Sequence, residues 1–571
     1  MKKNDLLALG AAATATAAAL AGVKKKNADF CPFCEAKRLL NKLTLTQGVT
    51  QRYDNGAALT PPMGWSSWNL FASRINEDLI KEIAAAIEQS GLAAAGYRYV
   101  NIDDCWQSSE RDADGRLQSD KATFPHGIRA LADSVNAMGL KLGLYSSNGT
   151  KTCEDYPASL RHEAMDADTI ASWGVEYFKY DFCHNVPISE KAPRVRQIEL
   201  SAPGEAAAAI FTPDDVALKG KARILTDDKD GVRWITGLSS RGGSFSINVE
   251  APEDGDRVLT LIVAKASDAE RFLRVTVNGK DEYHLYAAQG RAPFRGERRI
   301  QLTVRLQAGM NTVVFDNPVG SRMDSAALQY KLMGRELKRA AKDLAARTGQ
   351  QEKPIVFSIC EWGFNRPWKW GAEAGNLWRT TGDIKPVWPS ILAIYEATVR
   401  LSKYAGVGGW NDPDMLECGN GKLTLEENRS HFSLWCMMAA PLILGNDVRK
   451  FVKPDGTPNS DDPLLQLLTN ESLIAIDQDA LGVPCRRVHA GLRDILVKPL
   501  TGGRAAVCVF NKTKAPATLT LDFKKLSDDA FPALPQKAAY QIRDAWSGDT
   551  FSADQTNVSV AGHGVRVFVV E

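Results

Sequence analysis

Short apolar runs alternate with amphipathic segments along two stretches of the chain, residues 59–183 and 331–444. In the segment that follows Asn76, apolar side chains recur every third or fourth residue, as on the buried face of a helix. The apolar runs between such segments have the length of buried strands. They lie near residues 63, 98, 141, 175, 355, 378, 408 and 441. Eight strand–helix units within roughly 280 residues predict an α/β fold, a (β/α)8 TIM barrel.

The alternation is interrupted between residues 188 and 327, where apolar positions recur every second residue. One such run, residues 273–277, precedes Asn278-Gly279, a pair typical of tight hairpin turns. These features predict an antiparallel β-sandwich inserted into the barrel.

Helical periodicity also disappears past about residue 480, and the alternating strands there predict a C-terminal antiparallel β domain. The chain is therefore predicted to contain a leader, a barrel in two parts, an inserted sandwich and a C-terminal domain. Their ranges are 1–50 for the leader, 51–187 and 328–479 for the barrel, 188–327 for the sandwich and 480–571 for the C-terminal domain.

The leader has the features of a targeting segment. Lys2 and Lys3 precede an alanine-rich apolar run over residues 6–23, as in a signal peptide. Lysines also follow directly at 24–26, and positive charge on both flanks fits a weak membrane anchor or an uncleaved signal equally well. We expect a secreted or membrane-anchored protein rather than a cytoplasmic one. A single CxxC pair, Cys31 and Cys34, makes neither a zinc site nor a thioredoxin motif, and its role stays open.

Charge and cysteine content narrow the functional classes. The chain has 70 Lys+Arg against 68 Asp+Glu, and this balance argues against a nucleic-acid partner. Its ten cysteines are scattered, which suits a large protein with at most one or two disulfides.

Acidic residues recur where the predicted barrel strands end, which is the edge that carries the active site in such barrels. They are Asp103, Asp104, Asp181, Glu361, Asp383, Asp412 and Asp414. No Cys/His cluster accompanies them, so we expect no zinc, although calcium or magnesium would suit such oxygens. Tryptophans 65, 68, 106, 362 and 410 are interleaved with the acids. Aromatic faces with carboxylate acceptors favour a sugar ligand, and glycoside hydrolysis needs two carboxylates.

Seven motifs occur in order between residues 59 and 450. They read MGWSSWN at 63–69, NIDDCW at 101–106, GLYS at 143–146, KYDFC at 179–183, CEWG at 360–363, WRTTGDI at 378–384 and WNDPDML at 410–416. The set resembles the motifs of glycoside hydrolase family 27, the α-galactosidase family of clan D. The resemblance implies retaining, exo-acting hydrolysis of terminal α-galactosyl residues in oligosaccharides or glycoconjugates, with no metal or cofactor.

By this resemblance Asp181 is the nucleophile and Asp383 the acid/base. Lys179 lies two residues before Asp181 on one strand and therefore on the same side, where its charge should lower the pKa of Asp181. Asp383 has to be protonated at rest, so we expect it in a drier setting that raises its pKa.

The resemblance also implies a set of sugar-binding residues. Asp103 and Asp104 match a pair that binds the 4- and 6-hydroxyls, and Glu361 and Arg379 match positions that read the 2-hydroxyl. The bulky, charged Glu361-Trp362 pair favours galactose over N-acetylgalactosamine. The complete set is Trp68, Asp103, Asp104, Tyr145, Lys179, Cys183, Glu361, Trp362, Arg379 and Asp414, while Asp412 is interpreted as a structural turn residue.

Cys153 and Cys183 match a disulfide of the family. Cys105 lacks its usual partner, because the loop at 71–73 reads Phe-Ala-Ser, so we expect Cys105 to be a free thiol.

The inserted sandwich leaves the barrel just after Asp181, and we expect it beside the catalytic face, either as a carbohydrate-binding module or as a passenger domain. Three alternative functions stay open: a β-L-arabinopyranosidase or an α-N-acetylgalactosaminidase of the same family, and a catalytically silent carbohydrate-binding protein. The oligomeric state and the natural leaving group are not encoded in a readable way.

Overall fold

A computed structural model describes residues 53–264, 269–287, 298–529 and 537–571. The predicted leader and the Cys31-Cys34 pair lie outside the described residues. The chain divides into two compact units: residues up to 185 together with residues 330–571, and residues 186–329. Within the described ranges, no helix combines the length and the apolar character needed to cross a membrane.

The first half of the barrel follows the predicted alternation. Its strands are β1 (Met63–Ser66), β2 (Tyr99–Asn101), β3 (Lys141–Ser147) and β4 (Tyr177–Asp181). Its helices are α1 (Trp68–Phe71), α2 (Glu77–Gln89), α3 (Leu92–Ala95), α4 (Gly127–Ala137) and α5 (Glu163–Ser172). Asn76 caps α2 as its side chain accepts a hydrogen bond from the Leu79 N–H at 2.8 Å. The apolar stripe of α2 is buried, as its periodicity predicts.

The second unit is an antiparallel β-sandwich. Its strands are β5 (Arg194–Ser201), β6 (Ala209–Phe211), β7 (Ala217–Gly220), β8 (Arg223–Thr226), β9 (Arg233–Thr236), β10 (Gly243–Ala251), β11 (Gly255–Ala264), β12 (Arg271–Val277), β13 (Asp281–Ala287), β14 (Arg298–Leu306) and β15 (Gly309–Asp316). One sheet has the order β13-β12-β15-β10-β7 and the other β14-β11-β5-β9-β8, with β6 paired to β5. Asn278 and Gly279 both have positive φ in the turn between β12 and β13. Whether this unit binds carbohydrate stays a prediction.

The second half of the barrel begins with the long helix α6 (Arg322–Thr348). It continues through β16 (Val356–Cys360), β17 (Leu377–Arg379), α7 (Trp388–Thr398), β18 (Trp410–Asp412), α8 (Leu425–Met438) and β19 (Leu442–Leu444), followed by α9 (Pro463–Leu468) and α10 (Glu471–Asp477). Short 3-10 turns occur at Pro367–Lys369, Gly371–Glu373, Val399–Tyr404 and Val448–Phe451.

The eight barrel strands are parallel and have the order β18-β17-β16-β4-β3-β2-β1-β19. Strands β1, β16, β17, β18 and β19 are buried along their whole length, which explains the apolar sequences of β16 and β19. Strands β17 and β18 instead end in buried charged residues, Arg379 and Asp412. A parallel bridge between Leu416, just beyond β18, and Leu444 in β19 joins the two ends of the sheet. The predicted TIM barrel is therefore confirmed.

The C-terminal domain is antiparallel, as predicted. Its elements are β20 (Arg486–His489), β21 (Arg493–Leu500), β22 (Arg504–Asn511), β23 (Ala517–Asp522), α11 (Phe523–Asp529), β24 (Tyr540–Asp544), β25 (Thr550–Ala553), β26 (Gln555–Val560) and β27 (Val565–Val570). It packs on helix α7 of the barrel. The Tyr395 hydroxyl donates to Asp494 Oδ2 at 2.7 Å, and the Trp388 and His563 rings stack with centroids 4.7 Å apart.

Candidate active site

The register of three neighbouring strands sets the level of the candidate nucleophile. Asp181 at the end of β4 pairs with Ser147 of β3 on one side and with Cys360 of β16 on the other. Lys179 lies two residues earlier on β4, opposite Tyr145 of β3. Since alternate residues of a strand share a face, Lys179 and Asp181 project to the same side of the sheet.

Asp181 is buried and held at several points. Its Oδ1 accepts a hydrogen bond from the Phe182 N–H at 2.8 Å, and its backbone carbonyl accepts one from the Tyr330 hydroxyl at 3.1 Å. Cys153 and Cys183 form the disulfide that the resemblance implied. Both sulfurs and a carboxylate oxygen of Asp181 lie within 4.8 Å of one another. The disulfide thus ties the loops after β3 and β4 directly beside the carboxylate.

The ammonium group of Lys179 forms an ion pair with Asp103, which lies just beyond the end of β2. Its Nζ donates to Asp103 Oδ2 at 2.7 Å and lies 5.2 Å from the centre of the Tyr145 ring. Asp103 is itself fixed by its backbone N–H, which donates to Ser67 Oγ at 3.0 Å. The positive charge of Lys179, which the sequence predicts to lie beside Asp181, is therefore shared with Asp103.

Asp104 lies beside this pair with both carboxylate oxygens engaged. Oδ1 accepts from the Cys105 N–H at 2.8 Å, and Oδ2 accepts from the Glu154 N–H at 2.9 Å. Burial outweighs these hydrogen bonds and raises the pKa of Asp104 to about 6. Cys105 is a buried free thiol, as predicted, with a φ of 77°.

Arg379 connects the candidate acid/base to the barrel wall. Its Nη2 donates to Asp414 Oδ2 at 2.7 Å and to Asp383 Oδ1 at 2.9 Å. Asp414 also accepts a hydrogen bond from the Ile384 N–H at 2.8 Å, so it anchors the loop that carries Asp383. The Arg379 side chain is only 4% exposed, whereas that of Asp383 is 66% exposed.

The expected pKa pattern of the two candidate catalytic aspartates is wrong for the free protein. Burial raises the pKa of Asp181 to about 6. The charge of Lys179 lowers this pKa, as predicted, but by less than burial raises it, and the charge of Asp103 also raises it. Partial burial favours a higher pKa for Asp383, but the charges of Arg379 and Lys179 and the hydrogen bond from Arg379 hold that pKa below its usual value. Asp383 is also mostly exposed rather than dry.

Glu361 and Trp362 follow strand β16 in a tight turn. One oxygen of the buried Glu361 accepts a hydrogen bond from the Asn365 N–H. The other oxygen, Oε2, is buried and has no hydrogen-bond partner among the residues that the structure describes. Burial raises the pKa of Glu361 to about 7. An unpartnered acceptor of this kind is suited to a ligand hydroxyl.

Trp68 lies on the short helix α1 and is partly exposed. The next residue, Asn69, donates through Nδ2 to Glu417 Oε1 at 2.5 Å, and Asn420 Nδ2 donates to Glu417 Oε2 at 2.6 Å. Burial raises the pKa of Glu417 to about 7. The sequence analysis missed Glu417 and also Ser67. Glu417 directly follows the last motif, which is the signal that could have indicated it.

A cavity of about 30 Å³ lies among the inward-facing charged side chains. Lys179, Asp103, Arg379, Asp412 and Asp414 all border it. Asp412 has the turn role predicted for it, since its Oδ1 accepts a hydrogen bond from the Asp414 N–H at 2.8 Å. Burial raises its pKa to about 6. The charged residues of several strands therefore share one enclosed space and influence one another electrostatically.

Known proteins match both the barrel and the C-terminal domain. A family model described as alpha galactosidase A matches residues 60–202 and 309–479, and one described as the alpha galactosidase C-terminal beta sandwich domain matches residues 490–570. The chain is similar to the alpha-galactosidase of Cyamopsis tetragonoloba, with 31% identity over 547 residues that cover 94% of each chain. It is 32% identical to alpha-galactosidase A of Cellvibrio japonicus, over 92% of this chain and 95% of that one.

A solved structure has a similar fold. The crystal structure of alpha-galactosidase I from Mortierella vinacea superposes with a TM-score of 0.61 at 26% identity. The match covers 90% of this chain and 98% of that chain.

Proposed function

Because the chain belongs to glycoside hydrolase family 27, the α-galactosidase family, we propose that Asp181 is its nucleophile and Asp383 its acid/base. The chain is an α-galactosidase that hydrolyses terminal α-galactosides with retention of configuration. The observation that carries the assignment is the contrast between two carboxylates on the active face: Asp181 is buried against the disulfide, and Asp383 is exposed and linked to Arg379. A covalent intermediate needs a sheltered nucleophile, and the leaving group needs an accessible proton donor.

In the first step, ionised Asp181 attacks the anomeric carbon and the bond to the glycosidic oxygen breaks. Asp383 gives its proton to that oxygen, so the leaving group departs as a neutral alcohol. The product is a β-linked galactosyl ester on Asp181. The short hydrogen bond from the Phe182 N–H to Oδ1 orients the carboxylate for this attack.

In the second step, Asp383 has become a carboxylate and acts as a base. It takes a proton from a water molecule whose oxygen attacks the anomeric carbon and releases Asp181. The exposure of Asp383 supports this role, since the water has to approach from the side that the leaving group vacates. Two inversions give net retention.

Substrate binding adjusts the proton balance of the free protein. A galactoside that covers Asp383 excludes water from this exposed carboxyl and raises its pKa toward the protonated form that the first step requires. Asp181 meanwhile loses its proton above about pH 6, the value set by its burial. At neutral pH both carboxyls are ionised in the free protein, so the reactive form differs from it by the proton that Asp383 gains.

Sugar recognition uses the remaining buried polar groups. We expect Asp103 and Asp104 to accept hydrogen bonds from the 4- and 6-hydroxyls, with Lys179, which pairs with Asp103, as a donor beside them. The unpartnered Oε2 of Glu361 supports a hydrogen bond from the 2-hydroxyl. The bulky Glu361-Trp362 pair disfavours an N-acetyl group, because that substituent is larger than a hydroxyl and would need the space that these side chains fill.

The two roles can be separated by the products formed in azide. In Asp181→Ala, azide can occupy the space of the missing nucleophile, and a single displacement on p-nitrophenyl α-galactoside should give the β-galactosyl azide. In Asp383→Ala, the galactosyl ester still forms, and azide should then give the α-galactosyl azide. Both variants should lose several orders of magnitude in rate without azide.

A matched control is Asp214→Ala in the inserted unit, because the Asp214 side chain is 66% exposed and pairs with Arg233, as Asp383 is 66% exposed and pairs with Arg379. It should keep the activity of the parent protein. Exchanged azide products, or full activity in either of the two test variants, would show that the roles are misassigned.

A further inference from the structure

Phe364 is the most exposed large hydrophobic side chain in the part of the chain that the structure describes, with 71% of its surface accessible. It lies three residues beyond Glu361, in the loop after barrel strand β16. Single exposed hydrophobic residues are common on proteins, so exposure alone has little meaning. Two further observations indicate a function for Phe364: its position beside Glu361 and Trp362, and the constrained loop that holds its ring.

The loop that presents Phe364 is tightly constrained. Trp362 has a φ of 53° and Gly363 a φ of 80°, so two consecutive residues adopt the left-handed conformation. A side chain at 363 would place its Cβ 2.3 Å from the carbonyl oxygen of Thr380. The Phe364 N–H donates to the Glu361 carbonyl at 3.2 Å and closes the turn. Left-handed backbone in a bulky residue such as Trp362 persists only where its surroundings enforce it, and it often marks a functional loop.

Three aromatic rings connect the nucleophile strand to this loop. Phe182 follows Asp181 directly, and its ring meets that of Trp362 edge to face, with centroids 6.3 Å apart and an interplanar angle of 89°. The Trp362 ring meets that of Phe364 in the same manner, at 5.7 Å and 82°. Trp362 therefore buttresses Phe364, and the row of rings runs from the buried nucleophile to the solvent.

We propose that Phe364, supported by Trp362, is a stacking platform for the sugar ring of the leaving group, next to the galactose site. This inference rests on the proposed function. A terminal galactosyl residue occupies the buried carboxylate pocket, so the rest of the substrate has to extend toward solvent along the rim. The apolar face of a pyranose ring can cover the exposed Phe364 ring, and its hydroxyls remain in water.

Phe364→Ala tests the platform through substrates with and without a leaving sugar. α-Galactosyl fluoride has no second ring, and melibiose and raffinose have one directly attached to galactose. We expect kcat/KM for the fluoride to stay within about 2-fold of the parent, and kcat/KM for the oligosaccharides to fall about 3- to 10-fold, the worth of one aromatic contact. Phe364→Tyr should restore the oligosaccharide activity because it keeps the ring.

Leu492→Ala is the matched control, since Leu492 is 69% exposed on the C-terminal domain and should affect neither substrate class. An equal fall on the fluoride and the oligosaccharides in Phe364→Ala would overturn the platform, because it would mean a disturbed galactose pocket. Unchanged oligosaccharide kinetics would overturn it as well. Failure of the parent protein to hydrolyse the fluoride would instead refute the proposed function on which the inference rests.

Discussion

The pKa of Asp181 can be measured in isolation by removing Asp383. In Asp383→Ala the proposed general acid is absent, but fluoride leaves α-galactosyl fluoride without protonation by the protein. Formation of the galactosyl ester then depends on one protonation state, that of Asp181 as the attacking carboxylate. The pH dependence of this step therefore reports on the electrostatics of the nucleophile.

The structure sets the magnitude of the effect. Burial raises the pKa of Asp181 from 3.8 to about 6. Only the ionised form attacks, so the rate should rise with pH and level off above about pH 7. At pH 5 about one tenth and at pH 4 about one hundredth of the plateau rate should remain, by the tenfold change per pH unit below a pKa. With an ordinary aspartate, more than about nine tenths of the plateau would remain at pH 5.

The assay is the initial burst of fluoride release, which precedes the slow hydrolysis of the ester in this variant. The burst rate should follow a single titration with its midpoint near pH 6 and no descending limb up to pH 8. A midpoint near 4 would mean that Lys179, and not burial, dominates the environment of Asp181, and would refute the electrostatic argument. A descending limb would reveal a second required proton and hence an acid other than Asp383.

Two other substitutions test the supports of the site. Gly363→Ala forces a Cβ to within 2.3 Å of the Thr380 carbonyl oxygen, so we expect activity to fall at least about tenfold for every galactoside. The control is Gly491→Ala, where the added Cβ has no contact shorter than 3.8 Å. Equal activity of the two variants would contradict the argument. Glu417→Gln leaves one side-chain oxygen for two amide donors, those of Asn69 and Asn420, so one of the two hydrogen bonds is lost. This loss should raise KM about tenfold through Trp68, the neighbour of Asn69. The swapped double variant Asn69→Asp with Glu417→Gln should lower KM again, and an unchanged KM in the single variant would show that this contact does not position the wall.

The barrel was readable from the sequence because its strands are buried on both faces and therefore appear as apolar runs. Single elements within and beside the inserted unit were harder to predict. Strand β14 reads Arg-Arg-Ile-Gln-Leu-Thr-Val-Arg-Leu, in which charged side chains occupy the exposed alternate positions and mask the strand pattern. Helix α6 begins at Arg322, whereas the second predicted stretch starts at residue 331. The first turn was missed because it carries mostly polar residues and shows little amphipathic pattern.

The types of charged residue in the site could be predicted from the sequence, but their pKa values could not. Motifs place carboxylates, a lysine and an arginine at strand ends, and the fold brings them to one face. A pKa depends on which charges meet across strands, and Lys179 shows the difficulty. Asp181 lies two residues from Lys179 in sequence, yet the Lys179 ammonium pairs with Asp103, just beyond the end of β2, which is two strands away in the sheet.

The same arrangement explains why, in the free protein, the proposed nucleophile Asp181 has a higher pKa than the proposed acid/base Asp383. The barrel wall buries Asp181, and the ammonium group of Lys179, which is paired with Asp103, compensates for that burial only in part. The pKa of Asp181 is therefore raised. Asp383 is exposed to solvent and paired with Arg379, and both features keep it ionised until a substrate excludes the solvent. A galactoside supplies that cover. Catalysis therefore depends on the substrate itself to complete the low-dielectric environment of the acid, which a motif that names only residue types does not specify.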